Sequence, residues 1–230
     1  MITIENITIS YQKGTKIIDS LSLSLQTGTI HGIVGLNGSG KTTFLNGIFG
    51  LKKIDSGKIL FNNNHLTKKE MSYLVTENYF YPNITGHEYL SLFQNKNFEI
   101  DNWNKLFDLP LEKIIDTYST GMKKKLAFLS ILKQDKPLMI LDEPFNGLDI
   151  ETCRIIRSIL LRLKEKGKTI IITSHIIETL TNLCDYIHYL EDGKITQSED
   201  KNGFAEFEKE LYQLLENKNE KLILDLLPNS

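Results

Sequence analysis

The sequence predicts an α/β protein in which a mainly parallel sheet is preceded by an antiparallel β-subdomain and interrupted by an inserted helical subdomain. Three observations carry that prediction. Apolar residues alternate at the start of the chain, helical spacing fills residues 85–132 without a strand pattern, and strands alternate with helices from residue 138 onward. Alternating strand and helix implies right-handed crossover units, and hence parallel pairing.

The elements follow in order. Ile2, Ile4, Ile7 and Ile9, then Ile18, Leu21, Leu23 and Leu25, mark two strands of an antiparallel sheet with one buried face. Thr27 and Gly28 make a turn, and Ile30–Val34 is a short apolar strand running straight into residues 35–43, GLNGSGKTT. Residues 44–51 have helical spacing that ends at Gly50. A strand at 58–61 closes at the polar turn Asn62, Asn63 and Asn64. In the insert, Leu90, Leu92, Phe93, Trp103, Leu106 and Phe107 carry the helical spacing. The rhythm then returns: a strand at 138–141, a helix at 150–166, a strand at 168–173 and a helix at 176–183. Glu191, Asp192 and Gly193 read as a hairpin turn between strands at 186–190 and 194–196. Residues 199–230 hold eight Asp or Glu against four Lys, with an apolar stripe at Phe204, Phe207, Leu211 and Leu214. That pattern predicts a C-terminal helical tail over 198–230, packed through its stripe with a solvated acidic face.

Composition narrows the function. With 40% hydrophobic and 24% charged residues, the 230-residue chain has the makings of a packed core. A net charge of -2 offers no global attraction to nucleic acid or anionic membrane. Two cysteines, Cys153 and Cys184, cannot build a disulfide framework and point to a reducing compartment. The N-terminus lacks the basic and apolar regions of a signal peptide, and no apolar run approaches the roughly 18 residues of a membrane span. A cytoplasmic chain is expected, with any membrane role exercised through a partner.

Three stretches carry chemistry. Residues 35–42 fit the phosphate-loop pattern G-x-x-x-x-G-K-T between a strand and a helix. Gly35, Asn37, Gly38, Ser39, Gly40, Lys41, Thr42 and Thr43 are therefore expected to wrap the phosphates of a nucleotide with inward N–H groups and a helix N-terminus. Lys41 should reach the terminal phosphates, and the Thr42 hydroxyl should ligate Mg²⁺. The apolar strand at 138–141 ends in Asp142 and Glu143, the first placed to hold Mg²⁺ and the second to polarise an attacking water. His175 closes the strand at 168–173, at the carboxyl end where ligands gather in α/β sheets, and can sense the γ-phosphate or orient the water. His31, His65, His87 and His188 read as structural histidines.

Taken together, the phosphate loop, LMILDEPFNGLD at 138–149 and TIIITSH at 169–175 resemble the ATP-binding subunit of ABC transporters. The likeness covers residues 1–197, with YSTGMKKKL at 118–126 similar to that family's signature motif. It implies a P-loop ATPase core, with ATP and Mg²⁺ as ligands. It also implies that Tyr11 stacks on adenine and that Ser119 and Gly121 meet the γ-phosphate of a second chain. Asp149, in a stretch resembling the D-loop, is implied as a dimer contact. The signature departs from LSGGQ at Tyr118, Thr120 and Met122. Glu77 stands where the family places a Gln after a short strand, which makes it a further candidate at the metal. Lys123, Lys124 and Lys125 are either a solvated helix face or a basic run that draws in the triphosphate or anchors acidic neighbours, and Tyr79, Phe80 and Tyr81 are either local packing or an exposed anchor for another subunit.

The resemblance implies a head-to-tail dimer, homotypic or heterotypic, in which hydrolysis opens the interface and moves a separate integral membrane permease. Variants of this signature resemble exporters. The expected location is peripheral, on the inner face of the cell membrane, with no nucleic-acid partner. Two rivals differ in class. A related ATPase acting on nucleic acid or ribosomes would call for a second nucleotide domain, a coiled coil or a basic extension. A phosphotransferase would call for an acceptor pocket and lid, and would leave YSTGM and NGLD unexplained.

Overall fold

The computed structural model describes residues 1–12 and 14–226, so residues 227–230 of the expected tail lie outside the described residues. In chain order the strands are β1 (Ile2–Gln12), β2 (Thr15–Leu25), β3 (Ile30–Val34), β4 (Ser56–Phe61), β5 (Asn64–His65), β6 (Met71–Leu74), β7 (Leu138–Asp142), β8 (Thr169–Ser174), β9 (Tyr186–Glu191) and β10 (Lys194–Asp200). The α-helices are α1 (Lys41–Phe49), α2 (Gly86–Ser91), α3 (Ile100–Asn104), α4 (Thr120–Gln134), α5 (Ile150–Glu165), α6 (Ile177–Thr181) and α7 (Phe204–Leu226).

The alternating N-terminal residues form an antiparallel sheet of order β2-β1-β4-β5. Ile4 faces Leu23, Ile7 faces Leu21 and Ile9 faces Ile18. The step from Ile4 to Ile7 breaks the period of two, and the register shifts there around Asn6, whose φ is 48°. Asn tolerates the left-handed region, so one bulged residue restores Ile7 to the buried face.

The second sheet has order β10-β9-β3-β8-β7-β6, and every neighbouring pair is parallel except β9 with β10. Strands β3, β7 and β8 are buried at every residue, which is why they read as unbroken apolar runs. One face packs on α1 and the antiparallel sheet through Phe44, Leu45, Ile48 and the isoleucines of β1. The other face packs on α4, α5 and α6.

The inserted helices have no core of their own. Leu90, Phe107, Leu111 and Phe128 belong to one apolar cluster with Leu141, Ile170 and Ile172 of the central sheet. Burying each such side chain contributes about 1.5–3 kcal/mol, so insert and sheet are held to one another by the main term in folding. Local signals set the helix boundaries. Thr85 and Glu88 form a reciprocal capping box at α2, and Gly50, at φ 73°, ends α1.

Three expectations need correcting. The helix expected at 176–183 is the shorter α6, and the strand expected at 194–196 is the longer β10, which ends at Asp200. In α7, Phe204, Phe207 and Leu211 are buried as expected, but Leu214 is 44% exposed.

The β9–β10 turn at Asp192 and Gly193 has φ of 46° and 75°, the two left-handed residues of a type I′ hairpin. Gly193 also braces the fold. Its N–H donates to the Ser39 carbonyl at 3.3 Å, its carbonyl accepts from Asp19 N–H at 3.1 Å, and a Cβ there would overlap the Ile17 carbonyl.

His31 and His188 are buried together, with Nδ1 of the first 3.2 Å from Nε2 of the second. His31 also contacts Thr29 Oγ1, and His188 contacts Ser198 Oγ. Burial, with His31 beside it, pushes the His188 imidazole down to about 3. Burial lowers His31 as well, against the Gln26 carbonyl and Asp185.

Candidate active site

The carboxyl ends of β3, β7 and β8 converge on a cleft of about 660 Å³. Its floor is the loop between β3 and α1. Gly40 takes φ 104°, which no L side chain adopts cheaply, and this turns the backbone into α1. Asn37, Gly38, Gly40, Lys41, Thr42 and Thr43 all line the cleft. Gly35 and Ser39 are not among the lining residues. The Ser39 hydroxyl is buried without a hydrogen-bond partner among the described residues.

Lys41 is 7% exposed, and its Nζ donates to the carbonyls of Gly35 at 2.7 Å and Leu36 at 3.2 Å. Burial lowers its ammonium, while the carboxylates of Glu143 and Asp142 pull the other way. The loop's own carbonyls thus hold a cation that a phosphate can draw away.

Asp142 is 1% exposed and takes three threonine hydroxyls: Thr42 and Thr76 donate to Oδ2 at 2.8 Å each, and Thr173 donates to Oδ1 at 2.6 Å. A buried carboxylate needs such donors, because an unpaired one would lose its hydration uncompensated. Glu143 follows in a left-handed conformation, φ 51°, at a cost of roughly 1–2 kcal/mol for a residue with a Cβ. Its N–H donates to Thr173 Oγ1 at 3.0 Å, and its Oε2 lies 3.1 Å from His175 Nδ1. The parallel register of β7 and β8, with Asp142 opposite Thr173, brings these residues together.

Tyr11 lines the cleft, 58% exposed, with its hydroxyl 3.5 Å from Thr43 Oγ1 and the Lys52 ammonium 4.3 Å from its ring centroid. An open aromatic face beside a phosphate loop suits a nucleobase.

The structure does not bring Glu77 to this cleft. It is exposed, and it lines a separate depression with Tyr79, Thr120 and Lys123. The residue before it, Thr76, does line the cleft. Leu74 pairs with Leu141, and Thr76, two residues past the end of β6, comes level with Asp142 and donates to it. The signal was a hydroxyl one position before the glutamate, a type that had no place in the expected pattern.

Ser119 and Gly121 are absent from the cleft lining. Ser119 is exposed and caps α4, accepting from Met122 N–H at 3.2 Å. Gly121 lies nearest the Gly147 carbonyl. Lys124 donates to the Asn146 carbonyl, and Lys125 lies 3.7 Å from Asp149. These two lysines anchor residues 146–149 to α4. Asp149 caps α5 through Thr152, whose N–H and hydroxyl hold its carboxyl down at about 2, with Lys125 adding to the effect.

The aromatic stretch after Thr76 divides. Phe80 packs on Tyr89 with ring centroids 4.9 Å apart, whereas Tyr79 and Tyr81 are 85% and 66% exposed.

A phosphate loop with a buried aspartate, a following glutamate and a histidine around one cleft defines a nucleotide-hydrolysing α/β protein. The profile of the family described as ABC transporter matches residues 18–146. The uncharacterized ABC transporter ATP-binding protein YybJ of Bacillus subtilis (strain 168) is 32% identical, the match covering 86% of this chain and 96% of that one. The lantibiotic transport ATP-binding protein SrtF of Streptococcus pyogenes is 28% identical over 91% of this chain and 95% of its own length. A dimeric ATP-binding cassette solved in a post-hydrolysis state with ADP and phosphate shares the fold. It superposes with a TM-score of 0.77 at 23% identity, covering 87% of this chain and 99% of that one. This chain belongs to the ABC transporter family, as an ATP-binding, ATP-hydrolysing cassette. No helix among the described residues is long and apolar enough to cross a membrane.

Proposed function

We propose that residues 1–197 form the catalytic unit, which hydrolyses ATP between two copies or near-copies of this chain. The observation that carries the reading is the Glu143 carboxylate, held 3.1 Å from His175 at the mouth of a cleft whose floor is the phosphate loop. Glu143 polarises the attacking water, and His175 orients Glu143 or meets the γ-phosphate. Lys41 leaves the carbonyls of Gly35 and Leu36 to neutralise the terminal phosphates, the Ser39 hydroxyl finds its partner there, and Tyr11 stacks on the adenine. Ser119 and Gly121 of one chain close on the γ-phosphate held by the other, with Asp149 near the junction.

The Thr42 hydroxyl and Asp142 carboxylate are hard oxygen donors side by side, a set that fits Mg²⁺ when phosphates and water supply the remaining ligands. Bound there, Mg²⁺ would neutralise charge developing on the transferred phosphoryl group. Glu77 is not part of this set.

The membrane partner is a separate permease, met in part by the exposed Tyr79 and Tyr81, and the chain sits peripherally on the inner face of the membrane. The likeness to a lantibiotic transport protein and the YSTGM signature support export. The test is Glu143→Gln. Turnover falls by about 10²-fold or more, as for loss of a general base, while ATP binding persists and an ATP-bound dimer accumulates on size exclusion. Near-normal steady-state hydrolysis would overturn the role given to Glu143.

A further inference from the structure

Thr173 is fully buried, and no element of the phosphate-loop pattern includes it. Its hydroxyl has one hydrogen to give, and gives it to Asp142 Oδ1 at 2.6 Å. A lone pair on the same oxygen accepts the Glu143 N–H at 3.0 Å. One atom therefore orients the carboxylate of Asp142 and fixes the backbone of its neighbour. That backbone is the unusual one, since Glu143 holds φ 51° although it carries a side chain. In that conformation its carboxylate, 13% exposed, meets His175 Nδ1. His175 lies two residues beyond Thr173, so one strand end supplies both the backbone anchor and the side-chain partner of Glu143.

We propose that Thr173 is the positioning residue that holds Glu143 in its working conformation. The polarity of the two bonds makes this more than packing. An isosteric Val fills the same volume but leaves the Glu143 N–H and Asp142 Oδ1 without partners, and nothing then favours the left-handed turn over an extended one. Thr76 and Thr42 cannot substitute, because both donate to the other oxygen of Asp142. The inference rests on the reading of Glu143 as the residue that polarises water.

The experiment is steady-state ATP hydrolysis by the full chain carrying Thr173→Val, Thr173→Ser or Glu143→Gln, with each fold checked by thermal unfolding. Thr173→Val is expected to lower kcat about 10- to 100-fold, the usual range for an orienting residue behind a reacting group. The KM for ATP should move less than about twofold, because phosphate and base contacts are untouched. Thr173→Ser keeps the hydroxyl and should stay within about threefold of the parent. If the Val variant fails to fold, Thr173→Cys, of similar volume with a poor donor and acceptor, replaces it with the same expectation. A folded Val or Cys variant with kcat within about twofold of the parent overturns the proposal, as does a folded Ser variant losing tenfold or more. If Glu143→Gln turns over normally, the underlying reading of Glu143 fails. If Glu143→Gln is inactive while Thr173→Val is normal, only the inference about Thr173 fails.

Discussion

The two ends of the nucleotide machinery are built in opposite ways. At the phosphate loop, Asp142 is buried beneath three hydroxyls and Lys41 is held by backbone carbonyls. At the signature stretch, Ser119 is exposed, and its hydroxyl has done no more than cap its own helix. A buried polar group must find its partners within the fold, whereas an exposed one can wait for a ligand. The first end is thus set by folding, and the second, on the function proposed above, by association.

The comparison can be broken most directly at Lys41. Lys41→Ala should cost about 10²- to 10³-fold in turnover, as loss of a charged donor at the reacting group does, with ATP affinity falling alongside. Unchanged affinity would show that the buried end is not the phosphate site. Ser119→Arg should cut turnover about 10²-fold by blocking the approach of a second chain. Because Ser119 is exposed, ATP binding by the isolated chain should survive. Mixing the Lys41→Ala and Ser119→Arg chains should then recover activity above either alone, since one composite site is intact. No recovery would deny that the two ends meet between chains of this kind.

A smaller effect concerns the buried side and pH. His188, at about 3 in the fold, and His31, also lowered, stay neutral where the unfolded chain protonates near 6.5. The unfolded state then binds more protons, so stability is lost as pH falls from about 6.5 towards 3. The expected slope is at most about 1.4 kcal/mol per pH unit for each histidine. Urea unfolding at pH 7.5 and 5.5 measures it, and His188→Gln should flatten the slope; an unaltered slope would refute the assignment. Smallest of all is the contrast within the aromatic loop. Tyr79→Ala should leave the unfolding free energy within about 0.5 kcal/mol, whereas Phe80→Ala should cost about 2 kcal/mol or more through lost packing. Equal effects would erase the distinction between packed and projecting rings.

Legibility in the sequence followed the range of the interaction. The phosphate loop, the paired acids at the end of β7 and His175 at the end of β8 could be read because each is set by a strand ending a few residues away. Parallel pairing followed from the alternation of strand and helix. Thr76 had no place in the expected pattern, because the contact of a residue leaving a strand end depends on the strand's register, here Leu74 against Leu141. The partnership of His31 with His188, 157 residues apart, has no local signal. Thr173 was invisible for the same reason, since its two bonds cross to Asp142 at the end of β7 and to Glu143 just beyond it. Leu214 keeps the helical period of its stripe yet is 44% exposed, an outcome that period alone does not distinguish from burial.

The brace at Gly193 bears on how this sequence can change over time. The residue belongs to no phosphate pattern and lies 154 positions after Ser39, yet its N–H holds the Ser39 carbonyl and its α-carbon abuts the Ile17 backbone. A side chain there must displace the strand, the loop or both. A saturation scan of the gene should therefore show a gap in tolerance at codon 193 as deep as those in the phosphate loop. A drifting lineage could rewrite most of that hairpin but not the one position that leans on the nucleotide's cradle.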